Sequence, residues 1–229
     1  LENFPTYFYL YADVYTQNSD LYKSKYKCSA SSLSENRENA ILKVYAEALE
    51  RFSSSIFNIR KLPCKTQSDM EQQAHKESKQ VIPLKEFINS SQLDKKKVLS
   101  AKYYWTHCED VDNNIYYVPA QMVYVPFSYD DSHIRFSITT GTALRTTPQS
   151  TKYYATMEVL ERHDFMCSFL NKEPYLKLKI ETLKDNPKLN HIISQLEQNN
   201  TNKIHIFKIN SQEEYHTILT IVESLDKKN

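Results

Sequence analysis

The chain has 229 residues, a formal net charge of +1, four cysteines and a single glycine. That length can bury a sizeable core, the near-neutral charge gives no long-range pull toward nucleic acid or an anionic membrane, and apolar runs such as YFYLYA (7–12) are far too short to span a bilayer. One glycine, where an average chain carries about 7%, excludes the Walker loop, the Rossmann fingerprint, the GxSxG elbow and the EF-hand loop, because each needs glycine at a tight turn or a close approach to ligand.

In chain order, TYFYLYADVY (6–15) is rich in Tyr, Phe and Val and reads as a strand. A polar stretch rich in Ser and Lys follows, to about Asn36. From Glu38 to Ile56 the apolar positions Ile41, Val44, Tyr45, Ala48 and Phe52 recur at helical spacing and form one stripe. Ser34 fits the N-cap of that helix, and Glu35 suits the positive end of its dipole. Residues 63–82 read as a loop and PLKEFINSS (83–91) as a short helix. NIYYVPAQMVYVPF (114–127) looks like strand interrupted by Pro119 and Pro126, which argues for an edge or a bulge. HIRFSITT (133–140) alternates like another strand and runs into Gly141, most simply a turn residue with positive φ. Thr147 and Pro148 make a helix start, as N-cap and first helical residue, and the helix should reach about Leu170. NPKLNHIISQLEQ (186–198) reads as a shorter helix, and KIHIFKIN (203–210) and HTILTIVES (216–224) read as strands. Interleaved strands and helices, without an interdomain linker or a repeat, predict a mixed α/β class.

Two segments share one spacing. Glu47, Glu50 and Arg51 lie in EALER, and Glu158, Glu161 and Arg162 lie in EVLER. Each glutamate pair shares a helix face, and each arginine stands four residues after the first glutamate. On the first helix the charges fall opposite the apolar stripe, so periodicity favours a solvated face over a site. The second helix is apolar nearly all round: Ala155, Val159, Met166 and Leu170 cover one side, Tyr153, Met157 and Leu160 adjoin them, and Tyr154, Phe165 and Phe169 share the side of the glutamates. Such a helix is expected to be buried, and buried carboxylates require a partner or a metal. Two glutamates with one arginine leave negative charge over, for which Mg²⁺ is the natural hard partner. Ion pairing and a metal site both remain open there.

Three segments in this order resemble the YcaO family of ATP-dependent peptide-modifying enzymes: ENAILKVYAEALERF (38–52), YYWTHCEDVDNNIYYVPAQMVYVPF (103–127) and TTGTALRTTPQSTKYYATMEVLERHDFMCSFLNK (139–172). The resemblance covers most of residues 6–222. It implies a mixed α/β fold with an ATP site unrelated to P-loops, and a single YcaO-like domain over 1–229 that lacks the family's C-terminal part. It implies ATP and Mg²⁺ as cofactors, with Glu47, Glu50, Glu158 and Glu161 as metal ligands. Arg51 and Arg162 would orient those carboxylates or approach phosphate, Gln149 would contact ATP, and Gly141 would let the backbone approach it. The implied chemistry is phosphorylation of a peptide backbone amide, then attack by a Cys, Ser or Thr side chain to give an azoline, or by sulfide to give a thioamide. A precursor peptide, a substrate-delivering partner protein and a homodimer are the implied partners, with neither nucleic acid nor membrane.

The sequence departs from the family pattern at CSASSLSEN (28–36), where glycines are usual, at Arg145 in place of a glycine, at Ser150 in place of an acid, and at Lys43 in place of a serine. The alternative expectation is therefore a non-catalytic family member that binds peptide or a partner enzyme. Cys28, Cys64, Cys108 and Cys167 form no CxxC pair and read as reduced thiols of a cytosolic protein. His163 and Asp164 read as a polar pair near a helix turn more readily than as proton-transfer groups. Cys167 reads as a small core residue. The basic KSKYK (23–27) and DKKK (94–97) read as solvated loops.

Overall fold

The computed structural model describes residues 7–16, 26–88, 94–127, 129–172, 175–197, 202–210 and 214–225. Residues 23–25 of the KSKYK stretch, the end of the predicted 83–91 helix and Gln198 lie outside the described residues. The architecture is mixed α/β, as expected, with two-, three- and four-stranded sheets and five α-helices among the described residues. The chain divides into two compact units: Leu1–Leu10 with Ser31–Lys43 and Arg145–Asn229, and Tyr11–Ala30 with Val44–Leu144.

Strand β1 (Phe8–Thr16) pairs with β2 (Tyr26–Ser34) in the two-stranded sheet. The sequence gives no sign of β2, because its inward positions are small: Ala30 and Ser32 are buried while Ser31 and Leu33 face out. Helix α1 (Arg37–Ser54) follows, capped by Asn36 rather than Ser34. The Asn36 side chain accepts from the Asn39 N–H at 3.1 Å and its carbonyl accepts from Ala40, while Ser34 Oγ accepts from the Asn36 N–H. Lys43 reaches back to the Leu33 carbonyl, and Ser32 donates to the Ala40 carbonyl.

The four-stranded sheet has the order β3 (Cys64–Lys65), β5 (Tyr103–Glu109), β6 (Ile115–Pro119), β4 (Gln80–Val81). Its core is Met70, Ala74, Leu84, Val98, Tyr103, Trp105, Tyr117 and Ile134. Two of those side chains come from α2 (Gln67–Lys76), in a segment that reads as a loop because only Met70 and Ala74 of its ten residues are buried. A four-residue spacing inside an otherwise polar run is too sparse a stripe to register as a helix. Short helix α3 (Lys95–Ser100) starts on an Asp94 cap, so DKKK is a helix start rather than a loop. The predicted short helix near 83–91 is a 3-10 turn, Leu84–Glu86. Pro119 ends β6 inside the sheet rather than marking an edge; it pairs opposite Trp105 and is fully buried. HIRFSITT is not a strand: Ile134 is buried, but Phe136 and Ile138, at the same parity, face out.

In the other unit, α4 (Pro148–Asn171) precedes β7 (Leu176–Lys177), a short strand the sequence does not announce, and then α5 (Pro187–Glu197), β8 (Asn202–Lys208) and β9 (Ile218–Ser224); α4, α5, β8 and β9 lie close to the expected boundaries. Thr147 caps α4 as predicted, and Ser150 completes a capping box with it. The antiparallel sheet runs β7-β8-β9, with Ile204 opposite Val222, and α5 packs on β8. No helix among the described residues is long and apolar enough to cross a membrane. All four cysteines are free.

Candidate functional site

The two ExxER segments land on α1 and α4, and the structure reverses the burial expected of them. On α1 the charged face is the covered one. Only 17% of the Glu50 side chain, 21% of Arg51 and 30% of Glu47 is exposed. The apolar positions Leu42, Tyr45, Leu49, Phe52 and Ile56 face outward instead. Helical phase explains this. Ala40, Val44, Glu47 and Arg51 follow one another at spacings of four, three and four, and Ala40 and Val44 are buried. Tyr45 and Phe52 of the expected stripe fall off that face.

Arg51 joins the two carboxylates of α1. Its Nη2 donates to Glu47 Oε1 at 3.0 Å and its Nη1 to Glu50 Oε1 at 3.2 Å. A second donor reaches Glu50 from far along the chain: Thr142 Oγ1 lies 2.6 Å from Glu50 Oε1. Thr142 sits just past the one glycine. Gly141 has φ 84°, and the Thr142 N–H closes a turn onto the Thr139 carbonyl at 3.1 Å. Any side chain would resist that φ, so the turn reading of Gly141 holds.

On α4 the geometry is looser. Arg162 grips Glu158 Oε1 through Nε at 3.0 Å and Nη2 at 2.9 Å, but 58% of the arginine side chain is exposed, and Glu161 is exposed. The expected burial of this helix is not found. Tyr153, Tyr154, Val159, Phe165, Met166, Phe169 and Leu170 are all exposed, and Ser168 alone is buried. Ala155, Met157 and Leu160 are half-buried, so the cover that α4 has falls on part of its circumference. With Glu161 exposed and Glu158 half-buried, burial alone does not require a metal on α4. The surface ion pair remains, and the residue types still suit a hard cation.

Gln149 is exposed in the first turn of α4. Arg145, standing where the family pattern has glycine, lays its guanidinium 4.1 Å from the Tyr154 ring centre, a cation–π contact. Asp164 is structural: it accepts from Thr217 Oγ1 at 2.6 Å and from the Tyr215 hydroxyl at 3.3 Å, tying α4 to the entry of β9. Cys167 is half-buried beside His163, Sγ to Nε2 3.5 Å, rather than a core residue.

Two other polar networks shape the larger sheet. Asp130 accepts the Tyr104 N–H at 2.7 Å and Gln121 Nε2 at 2.6 Å, and Gln121 Oε1 in turn accepts the Ile134 N–H. Burial pushes Asp130 up to about 6. Glu77 accepts from Lys79, Tyr117 and Gln73, which hold it down at about 2. A surface cleft of about 420 Å³, lined by Lys65, Asp69, Gln72, Gln73, Lys76 and Glu77, shares no residue with either ExxER motif. Among the described residues, no three His, Cys, Asp or Glu side chains gather closely enough to hold a metal ion. The α1 pair fits a divalent cation by its chemistry: two hard carboxylates side by side, with both donors to Glu50 on Oε1, so that Oε2 accepts no hydrogen bond among the described residues.

Comparison with known proteins places the fold and the family. Structures similar to this chain include a YcaO from Methanopyrus kandleri bound with AMPPCP and Mg²⁺, at 14% identity and a TM-score of 0.59, over 86% of this chain and 46% of that one. A heterocyclase in complex with substrate and cofactor matches at 12% identity and a TM-score of 0.67, over 86% of this chain and 28% of that one. The E. coli microcin synthetase McbBCD complex with pro-MccB17 bound matches at 16% and 0.65, over 96% and 56%. The chain thus spans from about a quarter to just over half the length of these proteins, and at such identities the likeness is one of fold. No curated protein matches the sequence. A family model described as YcaO cyclodehydratase, ATP- and Mg²⁺-binding, matches residues 34–229, a stretch that holds both ExxER helices and the Gly141 turn, and the chain belongs to that family.

Proposed function

We propose that this chain takes part in the ATP- and Mg²⁺-dependent activation of peptide backbone amides during maturation of a ribosomally made peptide. The observation that carries the reading is the α1 constellation: two carboxylates and an arginine, mostly covered, joined by a threonine hydroxyl from a distant turn. Mg²⁺ held by carboxylates would neutralise the phosphate oxygens of ATP. In this reading Glu47 and Glu50 on α1, and Glu158 and Glu161 on α4, supply the carboxylates. Arg51 and Arg162 orient them, and Gln149 and the Gly141 backbone contact the nucleotide. The amide oxygen attacks the γ-phosphorus, ADP leaves, and the amide carbon becomes electrophilic. A Cys, Ser or Thr side chain of the same peptide then adds to that carbon, and phosphate departs with the former amide oxygen to leave an azoline. Sulfide in place of the side chain gives a thioamide. The substrate-bound heterocyclase and the microcin synthetase complex with pro-MccB17 among its structural neighbours support a precursor peptide, and a protein that delivers it, as partners. Residues 1–229 act as one YcaO-like domain in this account, and a homodimer is its simplest assembly.

One observation favours a second reading, a family member that binds peptide or a partner enzyme without catalysis. On α4, Glu161 is exposed and Glu158 half-buried, and the two join no cluster of three ligands among the described residues. Mixing the protein with Mg²⁺, ATP and short peptides containing Cys, Ser or Thr tests the two. The enzyme reading expects ADP together with peptide that has lost one water, and both signals should vanish in Glu50→Gln. Peptide binding with no ADP above background would support the scaffold.

A further inference from the structure

The single glycine and the α1 motif are parts of one device. Gly141 at φ 84° closes the turn from Thr139 to Thr142, and that turn delivers a hydroxyl onto a motif carboxylate. Thr142 Oγ1 has two acceptors within reach, Glu50 Oε1 at 2.6 Å and the Thr139 carbonyl at 2.7 Å, but one proton to give. An ionised carboxylate is the stronger acceptor. The Thr139 carbonyl already receives the Thr142 N–H, so directing the hydroxyl to Glu50 strands nothing. Arg51 Nη1 donates to the same oxygen, Oε1. Both donors therefore fix one oxygen of Glu50, and Oε2 receives none among the described residues.

We infer that Thr142 is a positioning residue: it clamps Oε1 of Glu50 so that Oε2 is presented as a single ligand oxygen to a divalent cation. The inference rests on the reading of Glu50 as a Mg²⁺ ligand and extends it to a residue outside both ExxER motifs. Partners in the second shell of a metal orient the ligand and raise its affinity, and their loss costs about 10–100-fold in metal binding. Thr142 suits the task because its hydroxyl is short and its branched Cβ limits rotation. Valine has the same shape without the hydroxyl, and serine keeps the hydroxyl without the methyl group.

The test is calorimetric titration of ATP into the full chain at a series of Mg²⁺ concentrations, for wild type, Thr142→Val, Thr142→Ser and Glu50→Gln. Melting curves in chelator show that each variant is folded. Thr142→Val should raise the Mg²⁺ concentration needed for half-maximal ATP binding by about tenfold or more, and Thr142→Ser should recover most of the loss. Folded Thr142→Val with the Mg²⁺ dependence of wild type would overturn the inference, and so would Thr142→Ser as impaired as Thr142→Val. A wild type that takes up no Mg²⁺-ATP would sink the underlying metal-site reading first. Glu50→Gln separates the two failures: if it loses binding while Thr142→Val does not, the ligand stands and the clamp falls.

Discussion

Arg51 donates to Glu47 at 3.0 Å, and both side chains are mostly covered, whereas the equivalent Arg162 on α4 is mostly exposed. The same five-residue spacing thus does different work on the two helices. Replacing Arg51 with Gln removes the guanidinium that joins Glu47 and Glu50 and leaves two carboxylates side by side. The pair lies between a surface and a buried one, so the expected loss of stability is about 1–3 kcal/mol. Mg²⁺ should restore part of it, because the cation replaces the missing positive charge. Melting curves of Arg51→Gln with Mg²⁺ and with chelator check this. The expected result is a larger Mg²⁺-induced rise in Tm than wild type shows.

On α4 the double variant Glu158→Gln/Glu161→Gln should scarcely change the stability of metal-free protein. The ion pair with Arg162 is exposed on the arginine side, and such pairs contribute about 0.5 kcal/mol or less. Denaturant unfolding in chelator gives the value. A loss of about 3 kcal/mol would mean that α4 is a buried, paired element. The same variant should bind Mg²⁺-ATP more weakly than wild type, which separates a ligand role from a structural one.

Two carboxylates set opposite pH dependences in the larger sheet. Burial raises Asp130 from 3.8 to about 6, so the folded protein holds its proton more tightly than the unfolded chain does. Its contribution to stability therefore grows as pH falls from above 6 toward 4, and is lost as pH rises through 6. Glu77 is held down from 4.5 to about 2 by Lys79, Tyr117 and Gln73. Its contribution is present above 4.5 and is lost as pH falls toward 2. Unfolding free energy measured across pH 2–8 should show both limbs, and Glu77→Gln should flatten the acid one.

Asp130→Asn should remove the limb between pH 4 and 6 and also destabilise the fold. Its amide oxygen can still accept the Tyr104 N–H, but its amide nitrogen then faces Gln121 Nε2, donor against donor. Gln121 cannot turn over, because its Oε1 is committed to the Ile134 N–H. An unmet buried donor costs about 1–3 kcal/mol. Denaturation of Asp130→Asn at pH 7 measures it.

Much of the fold is legible in the sequence where apolar periodicity is strong. The boundaries of α1, α4, α5 and β8 follow from spacing, and Thr147 and Pro148 mark the start of α4. What escapes is built from small or polar residues. Strand β2 turns Ala30 and Ser32 inward, and α2 buries only Met70 and Ala74, so neither presents a stripe. The motif residues themselves are legible, but their burial is not. A charged face on one helix reads as solvated, and an apolar circumference on another reads as buried, because periodicity does not show which neighbour covers which side. The Thr142–Glu50 contact spans 92 residues and no pattern encodes it. Its one sequence signal is the lone glycine immediately before Thr142, a position where positive φ is needed.

The most direct test of the account is whether the folded chain binds ATP only when Mg²⁺ is present, and through the ExxER glutamates. Calorimetry would compare wild type, Glu47→Gln/Glu50→Gln and Glu158→Gln/Glu161→Gln, each with Mg²⁺ and with chelator. The account predicts measurable heat for wild type with Mg²⁺, none in chelator, and a marked loss of affinity in both double variants. No detectable binding by folded wild type at millimolar Mg²⁺-ATP, or binding unchanged in both variants, would contradict it.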